Sequence, residues 1–93
     1  MVVGVDYESV VLMYDAAVIE ICENASMVYV LDRTGDCDAQ DVPLPSYCEV
    51  EVVRVSNMVK ACYSLGITLL IDSDETTVQK CINSGIAAIQ VAV

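Results

Sequence analysis

The 93-residue chain has no histidine, no tryptophan and no phenylalanine, and only four basic residues, Arg33, Arg54, Lys60 and Lys80. Each shortage excludes something. Cys22, Cys37, Cys48, Cys62 and Cys81 form no C-x-x-C pair, and no histidine completes a zinc site. Without Trp or Phe, the core must be aliphatic with a few tyrosines. Four cations against fourteen acids leave a net charge of −10. That balance argues against a nucleic-acid binder, which needs a basic face, and against an anionic membrane surface. No apolar run is long enough to span a bilayer. An odd number of cysteines and no signal-peptide pattern point to a reduced cytoplasm.

What is present is aliphatic. The chain is 56% hydrophobic, enough for one domain over residues 1–93 to build a core despite its small size. The acidity suits a surface kept for solubility, a cation binder, or a protein that shows an acidic face to a basic partner. Cys22, Cys62 and Cys81 fall on apolar helix faces and read as small core residues. Cys37 and Cys48 lie in a long loop and would pair under oxidising conditions.

Val2–Val5 reads as a short apolar strand ending at Asp6. After a polar break, Val10, Tyr14, Ala17, Val18, Ile21, Cys22 and Ala25 recur at helical spacing. Met27–Leu31 is a second strand, closed by Asp32. Residues 33–48 hold both prolines and three aspartates and read as loop. Asp36, Asp38 and Asp41 lack the closing glutamate of a calcium loop and read as solvated. Glu49–Val55 alternates acid and valine, as an edge strand with one wet face would. Ser56 or Asn57 caps the next helix and Gly66 ends it.

The most organised stretch is Lys60–Val91. Ile67–Ile71 is too brief for a helix and reads as a strand buried on both faces. Asp72-Ser73-Asp74-Glu75 follows, with Ser73 or Asp74 as N-cap and Glu75 at the positive end of a helix that runs to about Ser84. Gly85 lies just past its end, and a last strand covers Ile86–Val93. Five strands and three helices in this order predict a three-layer α/β fold around an open, mostly parallel sheet. With strand order 5-4-1-2-3, the order reverses between the strands tipped by Asp6 and Asp72, where open sheets place their ligands. Right-handed crossovers put the second and third helices on one face and leave the first nearly alone on the other. A sparsely covered apolar face predicts a homodimer contact.

An acid-tipped first strand, a lysine one helix upstream and a hydrophobic strand ending in acids resemble the haloacid dehalogenase-like (HAD) superfamily. Lys60, Leu65-Gly66-Ile67, Leu70-Ile71-Asp72-Ser73-Asp74 and Gly85-Ile86 follow the order seen in small members. Asp6-Tyr7-Glu8-Ser9-Val10 echoes the first motif of the family, D-x-D-x-T or D-x-D-x-V. The second motif, a strand ending in Thr or Ser, falls at Asp32–Thr34. The resemblance implies a Mg²⁺-dependent phosphomonoesterase acting on a small phosphorylated substrate. It implies Asp6 as nucleophile and Glu8 as general acid and base. Thr34 and Lys60 would hold the phosphoryl oxygens, Lys60 also serving catalysis, and Asp6, Asp72 and Asp74 would bind Mg²⁺.

The chain departs from this pattern in three places. Glu8 is one carbon longer than the usual Asp, Asp32 stands where Thr or Ser is expected, and Ser73 separates the acid pair. It is also too short for a cap domain. Each site residue has a structural reading as well: Asp72–Glu75 is an ordinary helix start, Asp6 a strand end, and Lys60 a solvated charge. Two other functional classes stay open. One is an inactive domain of this fold used for binding or assembly. The other is a small acidic inhibitor that imitates nucleic acid.

Overall fold

A computed structural model describes residues 1–11, 15–35, 37 and 49–92. Strand β1 (Val2–Asp6) runs into a single π-helical turn at Tyr7–Val11, followed by α1 (Asp15–Cys22) and β2 (Met27–Asp32). Then come β3 (Val50–Arg54), α2 (Met58–Leu65), β4 (Leu69–Asp72), α3 (Glu75–Asn83) and β5 (Ala87–Gln90). All strand pairings are parallel, in the order β3-β2-β1-β4-β5. This is the open α/β sheet that the sequence predicts, with β1 at its centre.

Two-residue alternation sorts the strand side chains between two cores. Val3, Val5, Val28, Val30 and Ile71 pack on one face with Tyr7, Val10, Val11 and Cys22. Leu31 and Leu70 pack on the other with Met58 and Cys62 of α2 and Cys81 of α3. Gly4 has a steric role here: a Cβ on it would lie 2.7 Å from Ile67 Cδ1. The π-helical turn and the end of α1 sit on the first face, opposite α2 and α3. The segment 38–48 lies outside the described residues, as do the Asp36, Asp38 and Asp41 loop acids and Cys48 with its proposed pairing to Cys37.

Local signals explain the element ends. Asn57 Oδ1 accepts from the Lys60 amide at 3.1 Å and starts α2. Gly66 ends it at φ 68°, a left-handed position that favours glycine. Asp74, rather than Ser73, caps α3. Asp6 Oδ2 accepts from the Ser9 amide at 3.1 Å and its hydroxyl at 2.6 Å. These bonds lie within a π-helical turn that follows β1 directly. Among the described residues no helix is long and apolar enough to cross a membrane.

Candidate functional site

The carboxyl ends of β1, β2 and β4 carry Asp6, Asp32 and Asp72, and all three are buried, at 4%, 2% and 1% exposure. Buried carboxylates need partners. Those partners define what this edge of the sheet can do.

The parallel register pairs Val5 with Ile71, which sets Asp6 beside Asp72 one step further on. The cation between them is Arg33. Its Nη2 donates to Asp72 Oδ2 at 3.0 Å and to Thr77 Oγ1 at 3.2 Å, and its Nε lies 3.7 Å from Asp6 Oδ1. Asp72 Oδ1 accepts the amides of Ser73 at 2.7 Å and Asp74 at 3.1 Å. Asp6 Oδ1 has no hydrogen-bond partner among the described residues. Burial pushes the Asp6 carboxyl above its ordinary value, and the neighbouring Asp72 charge adds to this, against the Ser9 hydrogen bonds and Arg33.

A second carboxylate knot lies beside the first. Asp32 Oδ1 accepts from the Thr34 amide at 3.1 Å, the Thr34 hydroxyl at 3.3 Å and the Gly35 amide at 3.0 Å. Asp32 Oδ2 accepts from the Cys37 amide at 2.9 Å. Burial alone would raise this carboxyl, but the amides of Cys37, Gly35 and Thr34 hold it down at about 2. Glu8 Oε1 accepts the amides of Arg33 and Thr34, each at 3.2 Å, and the Thr34 hydroxyl at 3.0 Å. The loop after β2 is therefore wrapped around two acids, and Thr34 joins them.

The six residues singled out in the sequence fall as follows. Asp6 and Asp72 meet. Glu8 and Thr34 meet each other, one strand over. Asp74 turns to its own helix: its Oδ2 accepts the Thr77 amide at 3.2 Å and hydroxyl at 2.6 Å, and the Thr77 hydroxyl holds its carboxyl below the ordinary range. Lys60 is exposed on α2, beside a shallow depression bounded by Arg54 and Ser64. It forms no ion pair with the acids among the described residues. Sequence reasoning passed over Arg33. The available signal was its position, one residue past the acid tip of the strand next to β1, in a chain with three other cations.

This arrangement does not fit a Mg²⁺ ion. Among the described residues no three Asp, Glu, His or Cys side chains converge as metal ligands. Asp74 is committed to Thr77, and a guanidinium stands where Asp6 and Asp72 would share a cation. The Cys62 and Cys81 thiols are poor ligands here: burial pushes Cys62 up to about 12, with Cys81 adding to it, and raises Cys81 as well.

Replacing Asp6 by Asn tests the electrostatics of the pair. A carboxyl whose folded pKa is raised favours folding in its protonated form, below its unfolded value, and loses that contribution as pH rises through the folded value. At neutral pH Asp6 therefore carries a penalty that the neutral amide removes. Asp6→Asn is expected to raise the melting temperature at pH 7, with the gain shrinking as the pH falls through the raised folded value and gone below about 4. Thermal unfolding followed by circular dichroism at several pH values measures it, and a loss of stability at pH 7 would show that the Asp6–Arg33 attraction outweighs burial.

No family model matches the chain, and no curated protein or solved structure is significantly similar to it.

Proposed function

We propose that the chain is a divergent HAD-like domain that works as a non-catalytic binding module, in a cytoplasmic setting suited to its reduced core thiols Cys62 and Cys81. The observation that carries this reading is Arg33 between Asp6 and Asp72. Transfer of a phosphoryl group to an aspartate needs an ionised, accessible carboxylate and a divalent cation to neutralise the incoming phosphate. Asp6 is buried, hydrogen-bonded through Oδ2 to Ser9 and paired with Arg33. Thr34, the hydroxyl that would hold phosphate, is bonded instead to Glu8 and Asp32, two acids that repel it. Lys60 lies away from this cluster, on the surface of α2.

The test pairs an assay with a melt. With p-nitrophenyl phosphate and about 10 mM Mg²⁺, hydrolysis by the wild type is expected to equal that of Asp6→Asn and of buffer. Mg²⁺ at that concentration is expected to shift the melting temperature no more than NaCl of equal ionic strength, because a ligand stabilises only what binds it. Turnover that disappears in Asp6→Asn, together with saturable Mg²⁺ stabilisation, would restore the phosphatase reading.

A further inference from the structure

The two margins of the sheet are built differently. An open strand edge is a row of unmet N–H and C=O groups, and proteins commonly guard it with charge. β3, at one margin, carries exposed Glu51 and Arg54, with exposed Glu49 just before it. β5 is the other margin, and among the described residues only β4 pairs with it. The stretch Ile86 to Val93 holds no charged side chain, in a chain with fourteen acids and four cations. Ile89, in its middle, is 47% exposed.

Strand geometry fixes which groups are free. The Val91 amide donates to the Asp72 carbonyl at 2.9 Å, so Val91 and Ile89 turn their N–H and C=O groups toward β4. Ala88 and Gln90, the alternate residues, turn theirs outward. Side chains alternate between the faces. Ala88 packs on the core that α2 and α3 cover. Ile89 is in register with Ile71 and points to the opposite face. The open edge therefore offers two outward backbone pairs, those of Ala88 and Gln90, around one exposed isoleucine.

We infer that a second copy of the chain adds its own β5 to this edge, antiparallel, across a two-fold axis at Ile89. In that register Ala88 of each copy stands opposite Gln90 of the other, and each such pair exchanges both N–H···O=C bonds. Ile89 meets Ile89 of the second copy at a non-hydrogen-bonded position, where facing side chains stand closest. The contact is isologous and closes at two copies. Charge favours a second copy over a basic partner. A basic chain is drawn to acids, and this strip has none. Two chains of net charge −10 repel each other, and a neutral margin lets them meet without setting like charges opposite. The antiparallel arrangement also puts the rim that carries Asp6, Asp32 and Asp72 at opposite ends of the two sheets. The homodimer contact expected from a sparsely covered face thus lies at the sheet margin, and it is independent of the Arg33 site. So short a strip falls below the area of a tight interface, so the dimer is weak and concentration-dependent.

Sedimentation equilibrium of the full chain from about 10 µM to about 1 mM is expected to show the mean mass rising from one chain toward two. Ile89→Lys lowers the net negative charge yet sets two like charges face to face, and is expected to weaken dimerisation at least about tenfold. Gln90→Pro removes an outward N–H without breaking a bond to β4 and is expected to do the same. Glu51→Gln, on the β3 margin, is expected not to weaken it. Amide exchange by NMR on the unaltered chain gives a second readout. The Ala88 and Gln90 amides are expected to slow at least about twofold between about 50 µM and about 1 mM, while Ile89 and Val91, bonded to β4, hold their rates. A mass that stays at one chain throughout overturns the inference. So does a mass that climbs past two chains, a dimer untouched by Ile89→Lys, or Ala88 and Gln90 rates that ignore concentration.

Discussion

Asp32→Ala is expected to lower the melting temperature by roughly 12–24 °C, the equivalent of about 3 kcal/mol in a domain of this size. Asp32 is 2% exposed, and its carboxylate gathers three backbone amides and the Thr34 hydroxyl. A hydrogen bond to a charged group contributes about 1.5–3 kcal/mol. The full sum is not expected, because Thr34 and Gly35 are exposed and Cys37 is only half-buried, so their amides can turn to water once the acceptor is gone. The same residue predicts a pH dependence. Its folded pKa, about 2, lies below the ordinary 3.8. Its contribution is therefore fully present above about pH 4 and is lost as the pH falls toward 2. Asp32→Asn should flatten the stability profile in that window, as measured by urea unfolding at stepped pH. An unchanged profile would mean that the loop does not depend on this charge.

Arg33→Ala is expected to cost about 2 kcal/mol, or roughly 8–16 °C. Removing one partner of a buried pair costs about 3–5 kcal/mol, and the 39% exposure of the Arg33 side chain reduces that through solvent screening. What remains is two like charges side by side on adjacent strands, one of them at 1% exposure. Arg33→Lys should recover only part of the loss. A lysine carries the charge but not the planar fork that reaches Asp72, Thr77 and Asp6 together. Thermal denaturation of both variants measures the difference, and a lysine variant as stable as wild type would show that charge alone suffices.

The fold was legible because its signals are local and mutually consistent. Val3 and Val5 against Val2 and Gly4, or Leu69 and Ile71 against Leu70, declare a sheet covered on both sides. Asn57, Gly66, Asp74 and Gly85 mark where helices start and stop. Right-handed crossovers then leave few topologies. The meeting of Asp6 and Asp72 followed from the reversal of strand order beside β1.

The partners of those acids were not legible in the same way. An arginine just past a strand reads as solvated until the neighbouring strand tips are known, so Arg33 went unnoticed. Asp74 was open to two readings, as ligand and as cap, and the nearby Thr77 amide and hydroxyl decided for the cap. The side of α2 on which Lys60 falls depends on the rotation of the helix about its axis, at about 100° per residue, and packing of Met58 and Cys62 into the core fixes that rotation. The π-helical turn, with the Asp6–Ser9 contact inside it and Val10 and Val11 in the core, is not encoded by the periodicity.

The central claim is that Arg33, in place of a metal ion, neutralises the paired strand-tip acids. A double-mutant cycle on Arg33→Ala and Asp72→Asn, read by urea unfolding at pH 7, tests it most directly. The account predicts a favourable coupling of at least about 1 kcal/mol, with the double variant losing less than the two single losses added together. Strictly additive losses would place the Arg33 charge in solvent and contradict it.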